Sequence, residues 1–210
     1  MRSTIRLVEY CEQISTPPRK LLMELERETN LKTLAPQMIT GFLQGQFLSM
    51  ISRWKNPRTI LEIGTFTGYG TLCLVEGLQE NGILHTIEVN PELSHISQKY
   101  FDRSKYPQQI VQHIGDAKEL IPDIGGPIDL VYMDAGKNDY ALHFDLVFEK
   151  LGPGGTVLVD NVLWSGKVGQ GLKDKDTMAL EAFNEKIKKD KRVTNLLLPL
   201  RDGLMIIEKK

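Results

Sequence analysis

This 210-residue sequence has few cysteines, no long apolar run and no large excess of positive or negative charge. The two cysteines, Cys11 and Cys73, form neither a CxxC pair nor a metal-binding spacing, and both stand in apolar helical stretches. We therefore expect small core residues in a reducing compartment rather than disulfides or a zinc site. No window approaches ~18 apolar residues, and the first residues contain no apolar signal segment. The expected location is the cytoplasm, with no membrane partner.

The charges nearly balance, since 26 Lys and Arg residues stand against 27 Asp and Glu residues. Proteins that bind nucleic acid through its phosphates present an excess of positive charge, so nucleic acid is not an expected partner. One basic run, EKIKKDKR at residues 185–192, is either a basic patch or the solvated face of a helix, and its spacing favours the helix. A hydrophobic content of 41% in 210 residues allows one domain with a sizeable core.

Periodicity divides this single domain, residues 1–210, into a helical cap and an alternating core. Residues 1–55 contain three amphipathic helical patterns, the second with Thr16 as its predicted N-cap. Residues 56–210 contain seven strand patterns, and helical patterns separate the first six. The predicted fold is therefore α/β, a mostly parallel sheet with helices on both faces. Only RDG separates the last two strands, which is too short for a crossover, so the last strand is predicted to be antiparallel.

The glycine-rich turn LEIGTFTGYG follows the first strand, where doubly wound sheets bind nucleotides. Gly64, Gly68 and Gly70 have the spacing GxxxGxG, which is neither the dinucleotide-binding GxGxxG nor a phosphate-binding loop. Such glycines allow a ligand to approach the backbone closely, although a tight strand–helix turn explains them equally well. Glu62, at the end of an otherwise apolar strand, is either a contact for a ligand with hydrogen-bond donors or positive charge, or a solvated side chain.

The next two strands are also followed by acids. Glu88 lies about 20 residues beyond the glycine turn, the distance at which an acid binds ribose hydroxyls. Because Asn90 can cap the following helix, ribose binding is favoured over capping as the function of Glu88. Asp116 follows the third strand and either caps a short helix or flanks an adenine ring.

Strand four ends at Asp134, and strand five ends at Asp160 and Asn161. The carboxyl ends of parallel strands share one edge of a sheet, so these side chains can face one crevice. Two carboxylates and an amide oxygen suit Mg²⁺ or Ca²⁺, whereas the alternative is two unrelated capping acids. Lys137, three residues after Asp134, is either a surface lysine or a general base beside a cation.

Five motifs follow one another along the chain: GQFLSMI, LEIGTFTGYGTL, HTIEVNP, DLVYMDAGKNDY and GPGGTVLVDNVLWSGKV. In this order they resemble the small, cation-dependent O-methyltransferases, the catechol and caffeoyl-CoA group with its bacterial relatives. The resemblance covers nearly the whole chain and ends in LPLRDGLMIIEK. It implies S-adenosylmethionine (SAM) as methyl donor, a Rossmann-like seven-stranded sheet with an antiparallel last strand, a small catechol-like aromatic diol as acceptor, and a homodimer.

The resemblance also implies roles for particular residues. Lys137 and Asp134 would be catalytic, with Lys137 as the base. Asp134, Asp160 and Asn161 would hold the divalent cation, which would be Mg²⁺, with Mn²⁺ and Ca²⁺ as alternatives. The implied cofactor contacts are Met38, Thr40, Glu62, Gly64, Phe66, Gly68, Gly70, Glu88, Asp116, Ala117 and Asp134.

The sequence departs from the family pattern at two places. Gly136 stands where many plant-type relatives have an acid, so a CoA-ester acceptor is not carried over, and Gly70 stands where serine is common. Trp164, just beyond the Asp-Asn pair, either stacks on an aromatic acceptor or has a structural role. Two other functions stay open: a SAM-binding protein that has lost its chemistry, and a nicotinamide-dependent oxidoreductase on a related sheet.

Overall fold

The computed structural model describes residues 2–210, which form eight α-helices, seven strands and five short 3₁₀ turns. The helices are α1 (Arg2–Ile14), α2 (Lys20–Lys32), α3 (Phe42–Lys55), α4 (Tyr69–Leu74), α5 (Ser94–Asp102), α6 (Ala117–Leu120), α7 (Tyr140–Lys150) and α8 (Lys175–Lys189). The strands are β1 (Thr59–Ile63), β2 (Ile83–Glu88), β3 (Ile110–Ile114), β4 (Ile128–Met133), β5 (Leu151–Val159), β6 (Val193–Leu198) and β7 (Leu204–Lys209).

All seven strands form one sheet in the order β3-β2-β1-β4-β5-β7-β6. Strands β1 to β5 pair in parallel, and β7 is antiparallel to both β5 and β6, which confirms the predicted fold. Backbone hydrogen bonds continue past the strand ends: the Asp134 amide donates to Ile63 (2.8 Å), and the Asp160 amide donates to Met133 (2.9 Å). The ends of β1, β4 and β5 are therefore aligned at one edge of the sheet.

Alternate side chains of each central strand enter opposite layers of the core. In β4, Val131 and Met133 pack with α6, α7 and α8, whereas Leu130 and Tyr132 pack with α2, α3, α4 and α5. All four side chains are at most 1% exposed. Near-continuous apolar strands are the pattern expected of a parallel sheet that is covered on both faces.

Helix α3 joins the N-terminal helices to the sheet. Its Ser49 and Ser52 hydroxyls donate to the carbonyls of Cys73 (3.1 Å) and Leu74 (2.5 Å). The approach is so close that a Cβ atom on Gly77 would lie 2.0 Å from the carbonyl carbon of Ser52. The cap and the alternating core share one layer of buried side chains, and the single domain stays a prediction.

Two local expectations were wrong. Helix α2 begins at Lys20 with Arg19, not Thr16, as its N-cap residue. The cause is the Pro17-Pro18 pair. Pro18 drives the residue before it, Pro17, to extended backbone, so the helix cannot begin directly after Thr16. Cys73 is buried as predicted, but Cys11 is exposed, on a helix whose apolar side chains remain largely uncovered in this chain.

The basic run lies on and just after α8, where Lys186 pairs with Asp145 at 2.6 Å, so it is a solvated helix face. Across residues 2–210, none of the helices combines the length and the apolar character needed to cross a bilayer.

Leu48 tests the attachment of the helical cap. Its side chain is fully buried on α3, so we expect Leu48→Ala to lower the free energy of unfolding by about 2–5 kcal/mol. Met50, 40% exposed on the same helix, is the matched control, and Met50→Ala is expected to cost less than about 1 kcal/mol. Urea unfolding measures both. A separate, early transition for the cap in the Leu48 variant would contradict a single cooperative domain.

Candidate functional site

A cavity of about 1110 Å³ opens at the carboxyl edge of the parallel strands. This volume is in the range of small-molecule and cofactor sites. Glu62, Gly68 and Gly70 do not line the cavity, so their contact with a cofactor stays a prediction. The other predicted site residues all line it: Met38, Thr40, Gly64, Phe66, Glu88, Asp116, Ala117, Asp134, Lys137, Asp160 and Asn161.

Gly64 is the point where the first strand end meets the fourth. Its φ is +102°, and a Cβ atom there would lie 2.0 Å from the carbonyl oxygen of Asp134. Only glycine fits a left-handed backbone at this distance from another chain segment. Gly68 is required by packing too, because a Cβ atom there would lie 2.6 Å from the ring of Phe101.

Glu88 presents a carboxylate whose orientation is fixed from behind. One oxygen accepts the Phe66 amide at 2.7 Å, and the other accepts the Asn90 amide at 2.9 Å. Asn90 caps the next turn by accepting the Glu92 amide at 3.0 Å, so Glu88 is not needed as the cap. Each carboxylate oxygen has a further lone pair, which fits a pair of hydroxyl donors such as those of ribose.

Asp116 is confirmed as a helix cap and also lies in the wall of the cavity. It caps α6 by accepting the Lys118 amide at 2.9 Å, and it also lines the cavity next to Ala117. The hydrogen bond from this amide holds the pKa of Asp116 below its ordinary value. Whether the side chain also borders an adenine ring stays a prediction.

Four side chains from the ends of β4 and β5 form a strand-end cluster: Asp134, Lys137, Asp160 and Asn161. The Lys137 ammonium donates to Asp134 Oδ1 (2.9 Å) and Asn161 Oδ1 (2.7 Å). It also donates to the Tyr140 hydroxyl at 2.7 Å, and that hydroxyl in turn donates to the Asp160 carbonyl at 3.0 Å. Lys137 is therefore held inside the cavity and is not a surface lysine.

Asp160 is held by two residues that sequence reasoning missed. Its Oδ2 accepts Gln44 Nε2 at 2.6 Å and the Tyr132 hydroxyl at 3.0 Å, and its Oδ1 accepts the Asn161 amide at 2.8 Å. Burial raises the pKa of Asp160, and the nearby charge of Asp134 adds to this shift. The only sequence signal for Gln44 was its place two residues before the Gln of GQFL.

The strand-end cluster fits a hard divalent cation in its chemistry. Two carboxylates and an amide oxygen are ligands that Mg²⁺ and Ca²⁺ prefer. Asp134 and Asn161 already share one positive charge, the Lys137 ammonium. Within residues 2–210 there is no group of three or more His, Cys, Asp or Glu side chains that could hold a metal, so the amide of Asn161 is essential to this assignment.

Glu62 lies behind the cavity wall and is 1% exposed. Its Oε2 accepts the Thr71 hydroxyl and, at 2.6 Å, the Thr86 hydroxyl. Burial, partly offset by these hydrogen bonds, raises the pKa of Glu62 to about 8. A Cβ atom on Gly70 would lie 2.6 Å from Glu62 Oε1, so glycine at position 70 leaves room for this carboxyl group.

Trp164 packs against the core and also lines the cavity. Its ring is half-buried, and its core contacts are with the layer of α6, α7 and α8. Asn161, Trp164 and Ser165 all have left-handed backbones, with φ of +59°, +48° and +55°. Non-glycine residues adopt this conformation when surrounding contacts impose it, often at functional sites. Stacking of Trp164 on an acceptor ring stays a prediction.

Glu62 predicts a pH dependence of stability. An acid with a raised folded-state pKa stabilises the fold below its ordinary value of 4.5, and this contribution is lost as pH rises towards 8. We expect the wild type to lose stability between pH 5 and 8, by at most roughly 1.4 kcal/mol per pH unit more than Glu62→Gln. Urea unfolding of both proteins across this range measures the difference. If the free energy of unfolding changes with pH in the same way in both proteins, Glu62 is ionised in the fold.

Known proteins are similar to this chain in sequence and in fold. The family model for O-methyltransferases matches residues 12–210. A catechol O-methyltransferase from Niastella koreensis is 33% identical over 129 residues, 60% of this chain and 58% of that enzyme. The mouse catechol O-methyltransferase domain-containing protein 1 is 31% identical over 169 residues, 78% of this chain and 64% of that protein. The matches thus span less than two thirds of the length of either relative.

A solved structure agrees over the full length. The methyltransferase PaMTH1 of Podospora anserina, bound to S-adenosylhomocysteine (SAH), has a TM-score of 0.90 and 27% identity, covering 100% of this chain and 96% of that chain. The chain belongs to the O-methyltransferase family.

Proposed function

We propose that this enzyme transfers the methyl group of SAM to one hydroxyl of a small, catechol-like acceptor, with help from a divalent cation. Asp134, Asp160 and Asn161 hold the cation, Mg²⁺ in the first place, and Lys137 is the general base. The observation that carries the proposal is the convergence of Lys137 with the oxygens of Asp134 and Asn161, at 2.9 and 2.7 Å, inside the cavity that Glu88 also lines. A catechol offers two adjacent oxygens, which suit chelation by one cation.

The cofactor half of the cavity supports SAM binding. Glu88 is oriented by two backbone amides and offers its free lone pairs to ribose hydroxyls. The left-handed backbones of Gly64 and Phe66 bring the turn after β1 to the cavity wall. Asp116 and Ala117 line the same cavity beyond Glu88 and would border the adenine ring.

The acceptor half supports proton transfer at Lys137. When bound, SAM supplies an activated methyl group, and a divalent cation lowers the pKa of the acceptor hydroxyl. As the neutral amine, Lys137 would take the hydroxyl proton at Nζ, and Tyr140 and Asp134 orient that nitrogen. Gln44 and Tyr132 fix Asp160, so this carboxylate would hold the cation with little further movement.

Gly136 adds neither bulk nor charge to the cavity wall. Its φ is −59°, and a Cβ atom there would meet nothing within 4 Å, so neither backbone nor packing demands glycine. The residue lines the cavity, where the absence of a side chain leaves space without adding charge. The homodimer and the cytoplasmic location that the resemblance implies remain part of this proposal.

The proposed cation gives the first functional prediction. With SAM, Mg²⁺ and a panel of catechols, we expect turnover that EDTA lowers on the order of 100-fold or more and that added Mg²⁺ restores. The SAH dissociation constant, measured by calorimetry, should change less than about threefold, because Glu88 and the glycine turn act without the cation. Turnover that is indifferent to EDTA would exclude the cation, and no turnover of any catechol would favour a SAM-binding protein without this chemistry.

Lys137 gives the second functional prediction. We expect Lys137→Met, which keeps the chain length but removes the base, to lower kcat on the order of 100-fold or more while leaving SAH binding within about threefold. Lys167, exposed in the loop after β5, provides the control variant Lys167→Met, which should retain full activity. Preserved turnover in the Lys137 variant would remove this lysine from the mechanism.

A further inference from the structure

Arg201 is an unexpected residue in the turn between β6 and β7. Its φ is +49°, a left-handed conformation that non-glycine residues adopt only against a steric cost. The side chain is exposed and lines the cavity, and its Nη1 donates to the Thr40 carbonyl. A guanidinium has five N–H donors, so a single backbone acceptor leaves most of them available.

The cavity contains three Lys or Arg side chains, and Arg201 differs from the other two. Lys32 pairs with Glu28 at 2.8 Å, and Lys137 pairs with Asp134 at 2.9 Å. Among the side chains that the structure describes, no carboxylate lies within 4.0 Å of the Arg201 guanidinium. Arg201 is thus the cavity cation whose charge the described part of the chain leaves uncompensated.

The turn that carries Arg201 is fastened to the loop that follows the strand-end cluster. The Leu163 amide donates to the Asp202 carbonyl at 2.9 Å, and the Val162 amide donates to the Gly203 carbonyl at 3.1 Å. The Asp202 side chain accepts the Ser165 amide. A Cβ atom on Gly203 would lie 2.4 Å from Leu163 Cγ, so the turn and this loop are packed as one unit. Arg201 is therefore positioned together with the acceptor half of the cavity.

The cavity lining also includes seven Asp or Glu residues: Glu88, Glu92, Asp116, Asp134, Asp139, Asp160 and Asp176. Such a wall repels an anion unless an opposite charge compensates it. An uncompensated arginine is well suited to that task, because its planar fork binds a carboxylate through two parallel hydrogen bonds.

We propose that Arg201 recognises a carboxylate, and that the methyl acceptor, a catechol bearing a carboxylate on its ring or a short side chain, is the source of that group. Arg201 then determines specificity: it binds the acid while the strand-end cluster binds the diol. This inference rests on the proposed function, since it adds a charge to the acceptor proposed there. SAM carries a carboxylate as well, and Thr40, the partner of Arg201, is also an implied cofactor contact, so the test must separate the two sources.

The test compares two probes that differ only in charge at one ring position, 3,4-dihydroxybenzoate and 4-methylcatechol. We expect Arg201→Gln, which keeps a donor for the Thr40 carbonyl, to lower kcat/KM for 3,4-dihydroxybenzoate at least 10-fold, mainly through KM. The value for 4-methylcatechol should change less than about threefold. Arg201→Lys should recover part of the loss, because it restores the charge without the planar fork.

Lys32→Gln is the matched control. It removes a cation from the same cavity, but Glu28 already neutralises the charge of Lys32. It should not discriminate between the two probes. An equal loss on both probes in Arg201→Gln would overturn the specificity role. Weaker SAM binding by calorimetry, with both probes affected alike, would assign the carboxylate to the cofactor and overturn the acceptor assignment. Thermal unfolding of each variant excludes a general loss of structure.

A binding measurement distinguishes failure of the proposed function from failure of carboxylate recognition by Arg201. If the wild type methylates neither probe, the diol chemistry fails, but binding of 3,4-dihydroxybenzoate to the SAH-loaded protein can still be measured by calorimetry. Binding that Arg201→Gln weakens at least 10-fold would then support carboxylate recognition alone. Binding that this variant leaves unchanged, or no binding to the wild type, would overturn it.

Discussion

The buried carboxylate of Asp160 is the constraint on which the site depends. A charge that is 1% exposed is costly unless hydrogen bonds or an opposite charge compensate it. Gln44 comes from α3 and Tyr132 from the neighbouring strand, so both the helical cap and the sheet contribute to one carboxyl group. Small residues allow α3 to come close enough: a Cβ atom on Gly45 would lie 2.6 Å from the Tyr69 ring. The packing of the cap is thus tied to the chemistry at the strand ends.

The parallel strands place the proposed cofactor and acceptor contacts at one edge of the sheet. In the proposed function, the end of β2 supplies Glu88 for the cofactor, and the ends of β4 and β5 supply the strand-end cluster for cation and acceptor. The turn after β1 lies between them, with Gly64 against the Asp134 carbonyl. A methyl donor and an acceptor hydroxyl must lie close together to react, and the proposed contacts for both line one cavity. A nicotinamide-dependent oxidoreductase, the other enzyme considered from the sequence, is excluded by the family assignment.

The sequence predicted the sheet and eleven of the residues that line the cavity, because both depend on local patterns. Apolar strands that end in an acid gave Glu88, Asp134 and Asp160, and the short RDG turn gave the antiparallel strand. Gln44 and Tyr132 could not be predicted, because their partner Asp160 is 116 and 28 residues away and only the packing of α3 brings all three together.

The position of Glu62 behind the cavity wall could not be predicted either, because it depends on the space that Gly70 leaves. Arg201 was missed for a different reason: the RDG motif predicts a turn, but the pattern does not say on which side of the turn the arginine lies. Thr16 is the opposite case: the sequence predicted a capping residue, but the two prolines after it prevent the helix from beginning there.

The most direct test of this account is a count of bound cations. Mn²⁺ is a paramagnetic substitute for Mg²⁺, and its electron paramagnetic resonance signal reports the free ion during a titration of the SAH-loaded protein. The account predicts one site per chain in the wild type, and its loss or a weakening of at least 10-fold in Asp160→Asn and Asn161→Leu. No Mn²⁺ site in the wild type, or the same affinity in all three proteins, would contradict a cation at the strand-end cluster.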